Sequence, residues 1–306
     1  MKVITDENIL QTCSLMDEHP IFALDRLIQV KLANRLSGKK LLLVLDGLLD
    51  VNQGELELLL NVLRISATEG SQLTSMPSGI GNLTNLQTLK DFIVSTKGAL
   101  LSEIKNITGI QGSICIKKLE NIVREEETLE TVLKNKKFLH RLELQWSDMQ
   151  DEGVQMECRN CDILPPLSHL PMLKSLEIAE MLMVQSIDSI FCGNGVRFPS
   201  LETLKLKDMP KLKRWDSLRE NDMPRLCTLV IDTCPQLTHL SSIHHLASLN
   251  ELQLIRCYGL SMLPEEGLPS GLHSLIIIDC PLLSGCGMGG EYWHMIENIP
   301  HREILI

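Results

Sequence analysis

The apolar positions of this chain fall into one frame that recurs four times in its C-terminal half. Phe198-x-x-Leu201-x-x-Leu204-x-Leu206 is followed by Met223-x-x-Leu226-x-x-Leu229-x-Ile231. Leu246-x-x-Leu249-x-x-Leu252-x-Leu254 and the less regular Leu272-x-x-Leu275-x-Ile277 complete the set. The last aliphatic position moves from 206 to 231, 254 and 277, a period of 25, 23 and 23 residues. Within each unit the final two aliphatics alternate with a polar or variable residue, so they share one face of a short strand. A single strand of that length cannot bury its apolar side alone. Stacked copies can, as a parallel sheet with one continuous core.

A period of 20–29 residues with the frame L-x-x-L-x-L is the leucine-rich-repeat pattern. A second marker stands three residues after each strand: Cys234, Cys257 and Cys280, with Met209 and Met181 in the equivalent places. In such repeats this is the inward Asn/Cys slot under the turn. Pro210, Pro235 and Pro281 then interrupt the ladder. The expected fold is α/β: a leucine-rich-repeat solenoid of about nine units, with a curved parallel sheet and an irregular or helical convex side.

Upstream the pattern differs. Leu24, Leu27, Ile28, Leu32 and Leu36 mark one face of a helix that Gly38 would terminate, and Leu41–Leu45 form a continuous apolar run ending in Asp46. A run of this kind between helices suits a buried parallel strand, and a carboxylate at its end is where P-loop NTPases hold magnesium. The stretch Leu27–Asp50, LIQVKLANRLSGKKLLLVLDGLLD, resembles the second conserved block of the nucleotide-binding domain of plant intracellular disease-resistance proteins. That is the coiled-coil/nucleotide-binding/leucine-rich-repeat class. The resemblance aligns Asp46 with the family's magnesium-binding Asp, while the second acid is Gly47 here and the family's Trp is Leu49. No G-x-x-x-x-G-K-[ST] occurs, so nothing cradles phosphates; ADP or ATP belongs to full-length relatives, and no cofactor is expected here.

The resemblance continues through Leu73-x-x-Met76-Pro77-x-x-Ile80-x-x-Leu83-x-x-Leu86-x-x-Leu89 into Phe92-Ile93-Val94, which is similar to the start of the family's repeat domain. Strands are expected at Ile114–Ile116 and Leu142–Leu144, with a convex-side helix over Glu125–Lys137 between them. Cys158–Ile178 resembles the family unit C-x-N-C-x-x-L-P-P-L, and Glu291–Pro300 resembles its terminal cap. The domains implied are 1–70, an NB-ARC-like remnant of helix, strand and helix holding the Walker B region only, and 71–306, the repeats with their cap.

Composition narrows the chemistry. An apolar fraction of 44% with only 3% aromatic residues describes a core of Leu, Ile, Val and Met. A net charge of −10 argues against nucleic acid or an anionic membrane as partner. The start MKVITDENIL lacks a basic segment followed by an apolar one, and no run of 18 apolar residues exists, so neither a signal peptide nor a membrane span is expected. A cytoplasmic protein with reduced thiols follows, and with it unglycosylated sequons at Asn82 and Asn106. Cys158-x-x-Cys161 has half the spacing of a zinc site without its second half. The nine histidines, including His244-His245, form no recognisable triad, and no enzyme is expected.

Function then falls to the concave sheet face. The residues alternating with the core leucines are Glu143, Gln145, Glu177, Lys205, Lys207, Val230, Asp232, Gln253, Ile255, Ile276 and Ile278. They change from acidic through basic to apolar along the array, a gradient suited to a protein surface. The resemblance implies defence, with a pathogen effector, a guarded host protein or another resistance protein as the partner. The alternatives are a residual ADP/ATP switch or a non-functional truncated gene product.

Overall fold

The computed structural model describes residues 76–306 apart from 77, 83, 85, 96–97, 123–127, 147–163, 165–166, 168, 188–197, 216–221 and 241–242. The expected helix-strand-helix unit of residues 1–70, Cys158, Cys161 and the acidic run at 125–127 lie outside the described residues.

One long sheet carries the architecture. Its strands are β1 (Asp91–Ile93), β2 (Gln111–Lys117), β3 (Phe138–Gln145), β4 (Ser175–Ala179), β6 (Thr203–Lys207), β8 (Thr228–Asp232), β10 (Glu251–Ile255), β11 (Ser274–Ile278) and β12 (His301–Leu305), hydrogen-bonded in that order and all parallel. Leu142, Leu176, Leu204, Leu229, Leu252 and Leu275 stand in register, as do Leu144, Ile178, Leu206, Ile231, Leu254 and Ile277. All twelve are fully buried, so the two rows make a single apolar spine. Burying each aliphatic is worth roughly 1.5–3 kcal/mol.

The turns leaving six strands of the long sheet share one geometry. Lys118, Glu180, Asp208, Thr233, Arg256 and Asp279 directly follow their strands and all take positive φ, between 51° and 66°. None is glycine, and the left-handed conformation costs a non-glycine residue roughly 1–2 kcal/mol. That residue swings the chain so that the next side chain points into the core. There sit Leu119, Met181, Met209, Cys234, Cys257 and Cys280, each at most 1% exposed. The cysteine slot is therefore a consequence of the turn. Each thiol also finds a carbonyl: Cys257 Sγ lies 3.5 Å from Ile255 O, and Cys280 Sγ 3.4 Å from Ile278 O.

Four features depart from the sequence expectation. Of the convex-side helix expected over Glu125–Lys137, the described residues 128–137 contain a helix at Leu129–Leu133 that stops short of Lys137, with Thr128 Oγ1 accepting from Thr131 N–H at 3.2 Å. A second, three-stranded parallel ladder joins β5 (Ser186–Ile187), β7 (Arg214–Trp215) and β9 (His239–Leu240). It buries Ile187, Trp215 and Leu240 on the side away from the long sheet's exposed face. The terminal cap comprises a short helix, Trp293–Ile296, and then adds β12 as a ninth strand of the long sheet. Finally, Arg302 of β12 takes the register position that leucine holds in the preceding strands. Its guanidinium lies 5.4 Å from the Trp293 ring centre and donates to the carbonyls of Ile296, Glu297 and Ile299, closing the cap.

The repeats pack backbone on backbone at Gly259. A Cβ there would stand 2.7 Å from Pro235 O and 3.2 Å from Leu237 O, both main chain in the previous repeat. Gly259→Ala is expected to lower stability by about 1–3 kcal/mol in urea denaturation, because neither carbonyl can retreat without shifting its repeat.

Candidate functional site: the exposed face of the long sheet

Alternation places the odd-register side chains opposite the apolar spine, on the side that is concave in such solenoids. Parallel register then lines them up in rows. Glu143, Glu177, Lys205, Val230, Gln253 and Ile276 form one row across six strands. Gln145, Ala179, Lys207, Asp232, Ile255 and Ile278 form the next. Every predicted face residue thus occupies one of these two neighbouring rows.

The first half of the face is a polar network. Lys207 Nζ donates to Glu177 Oε1 at 2.6 Å, and Arg141 Nη2 stands 4.0 Å from Glu177 Oε2. Glu177 is only 8% exposed, so the pair is partly desolvated, and the carboxylate holds the Lys207 ammonium above its ordinary pKa. Gln145 Nε2 donates to Glu143 Oε1 at 2.6 Å. Further along, Asp232 Oδ1 accepts from Arg256 Nη2 at 2.6 Å, from Arg256 Nε at 3.1 Å and from Thr233 Oγ1 at 3.0 Å. Gln253 Nε2 donates to Glu251 Oε1 at 2.6 Å. Exposed pairs of this kind contribute about 0–1 kcal/mol each. Their effect is to hold side chains in fixed orientations on the sheet face.

Aliphatic side chains gather among and beyond these groups toward the last strands. Val230 is buried, Ile255, Ile276 and Ile278 are half-buried, and Leu305 at the end of the second row is 57% exposed. Arg141, Glu251, Arg256 and Leu305 also belong to the face, although the sequence reading omitted them. Arg141 and Glu251 extend the alternation one step upstream, a signal that was available. Arg256 follows its strand in the left-handed turn, so its pairing with Asp232 of the preceding repeat depends on the tertiary geometry alone.

Four of the described thiols are held protonated, while a hydrogen bond with Cys257 lowers Cys280. Burial pushes Cys234 up to about 12 and Cys286 up to about 11, and burial together with the Glu143 charge raises Cys115 further. A hydrogen bond with Cys280 and burial raise Cys257. Protonated thiols are poor nucleophiles and poor metal ligands. Asp46, the carboxylate that the resemblance aligns with a magnesium ligand, lies outside the described residues.

The family described as R13L1/DRL21 LRRs matches residues 101–157, which includes β2 and β3. The putative disease resistance protein At3g14460 of Arabidopsis thaliana is 27% identical over 72% of this chain. The putative disease resistance protein RGA1 and the disease resistance protein RGA2, both of Solanum bulbocastanum, are 28% and 29% identical over 63% and 55% of it. This chain is a distant homologue of plant disease-resistance proteins of the coiled-coil/nucleotide-binding/leucine-rich-repeat class.

The aligned part amounts to 18%, 26% and 23% of those three resistance proteins' own lengths. The leucine-rich repeat domain of the type III effector XopL has a similar solved structure, covering 92% of this chain and 98% of that one at 17% identity and a TM-score of 0.49. Among the described residues, no helix of this resistance-protein homologue is long and apolar enough to cross a membrane.

Proposed function

We propose that this chain is a protein-recognition module of plant defence, binding its partner on the exposed face of the long sheet. The partner is a pathogen effector, a guarded host protein or another resistance protein, met in the cytoplasm. The observation that carries this reading is the make-up of the face. Side chains held by Glu177–Lys207 and Asp232–Arg256 lie beside half-buried aliphatics that the internal core does not require. Solenoids bind through such extended surfaces, where fixed charges set specificity and aliphatics supply apolar contact. The kinship with resistance proteins supports the defence context.

Residues 27–50 resemble, on their sequence, the Walker B block of a nucleotide-binding domain. The role proposed for the repeats is to bind, sequester or regulate a protein partner.

The test is a quantitative binding screen of the purified chain against panels of effectors and resistance-protein domains. A face variant, Lys205→Ala with Ile255→Ser, Ile276→Ser and Ile278→Ser, is expected to lose the captured partner at least tenfold while unfolding at the wild-type temperature. A control on another surface, Lys211→Ala, is expected to retain it. A partner held equally by all three proteins would remove the sheet face from the proposal.

A further inference from the structure

Charge pairing on the exposed face leaves one cation over. Arg141 and Lys207 share Glu177, Arg256 is held by Asp232, and Lys117 Nζ lies 2.8 Å from Asp91. Among the described residues, Lys205 alone of the face cations has no hydrogen-bonded or ion-paired partner. It stands at the boundary of the face's two halves. On one side are Glu177 and Glu143, whose carboxylates are already engaged; on the other the row runs through Val230 and Gln253 to Ile276.

Charge complementarity fixes the polarity of what fits. An incoming carboxylate is drawn to Lys205 and repelled by Glu143 and Glu177, so its chain extends from Lys205 toward the isoleucines. The span is set by the sheet. From β6 to β11 the row takes three inter-strand steps of about 4.8 Å, roughly 14 Å in all, and an extended chain advances about 3.3 Å per residue. Four residues cover that distance.

We propose that the face receives an extended protein segment that pairs a carboxylate with Lys205 and lays a bulky apolar side chain about four residues away on Ile255, Ile276 and Ile278. This rests on the reading of the face as the recognition surface, and adds to it the chemistry of the ligand. Gln253, in the same row between the two anchor points, has its amide oxygen free to accept while its Nε2 is spent on Glu251. That oxygen suits a main-chain N–H of the segment.

The test is to select a random dodecapeptide library on the immobilised full chain, then repeat the selection on Lys205→Glu and Ile276→Glu. All three proteins are first shown to share one circular-dichroism spectrum and one unfolding temperature. The expected result on wild type is enrichment of Asp or Glu followed about four positions later by Leu, Ile, Phe or Trp. Lys205→Glu is expected to turn the preferred charge to Lys or Arg at the same position, and Ile276→Glu to weaken wild-type peptides roughly tenfold or more. Selection of the same acidic peptides by wild type and Lys205→Glu would overturn the proposal, as would no enrichment. Peptides weakened by Ile276→Glu but indifferent to the charge reversal would refute the ligand chemistry and leave the recognition surface standing. Peptides indifferent to both substitutions would remove the surface as well.

Discussion

Leu229→Ala is expected to destabilise the array by about 3–4 kcal/mol, within the range of fully buried Leu-to-Ala changes. Leu229 has no exposed surface and is wedged in register between Leu204 and Leu252, in the middle of the apolar spine. Main-chain hydrogen bonds on either side hold β6, β8 and β10 at a fixed separation, so the site has little freedom to collapse into the space left behind. The distribution of the damage is as informative as its size. In a solenoid each repeat contacts its neighbours only, so stability is close to a nearest-neighbour sum. Hydrogen exchange should therefore show β6, β8 and β10 losing protection first, with β1 and β2 the least affected. A loss below about 1 kcal/mol in urea denaturation, or a uniform fall in protection from β1 to β12, would refute that account.

The second large effect concerns a buried cation. Lys136 follows the helix Leu129–Leu133 and is only 1% exposed, yet its Nζ donates to Ile104 O at 2.8 Å. Ile104 lies in the short helix Ser102–Asn106 of the preceding repeat, so the ammonium meets a carbonyl in the last turn of a helix, the end that favours positive charge. Among the described residues no carboxylate pairs with it, and burial lowers the group from its ordinary value of 10.5 to about 8. The sign of the pH effect follows. Between about 8 and 10.5 the unfolded chain holds a proton that the folded chain has released, so stability rises with pH across that window. The slope approaches about 1.4 kcal/mol per pH unit at most and vanishes below the window, where both states are protonated. Lys136→Met should remove this contribution. The difference between wild-type and variant unfolding free energies, measured from pH 7 to 11, isolates Lys136 from other groups that titrate there. A difference that stays constant over that range would show that Lys136 keeps its ordinary pKa.

Lys136 also illustrates where sequence reasoning stops. In Asn135-Lys136-Lys137 the two adjacent lysines are indistinguishable by pattern. The fold buries the first and exposes the second, because the chain turns out of the helix Leu129–Leu133 directly beneath the preceding repeat. The ladder β5–β7–β9 was missed for a related reason. Its strands are two residues long, too short to display alternation, and they exist only because three successive connections happen to run alongside one another. β12 was missed because its sequence breaks the rule that identifies the others: it carries Arg302 where they carry leucine. The face residues were found because alternation is a local property that survives into the structure unchanged. Their pairings were not, since Glu177–Lys207 and Asp232–Arg256 join residues of different repeats.

The primary structure alone settled the repeat, its period, its two leucine rows, its cysteine slot and the side of the sheet on which each residue of the frame stands. All of these follow from the two-residue period of a strand and from burial, both of which act over a few neighbouring positions. Only the tertiary structure decided which charges neutralise one another, which cation is left over at Lys205, which lysine is buried and how the array is closed. Those outcomes depend on register between strands more than twenty residues apart, and on left-handed turns that bring each repeat back over the last.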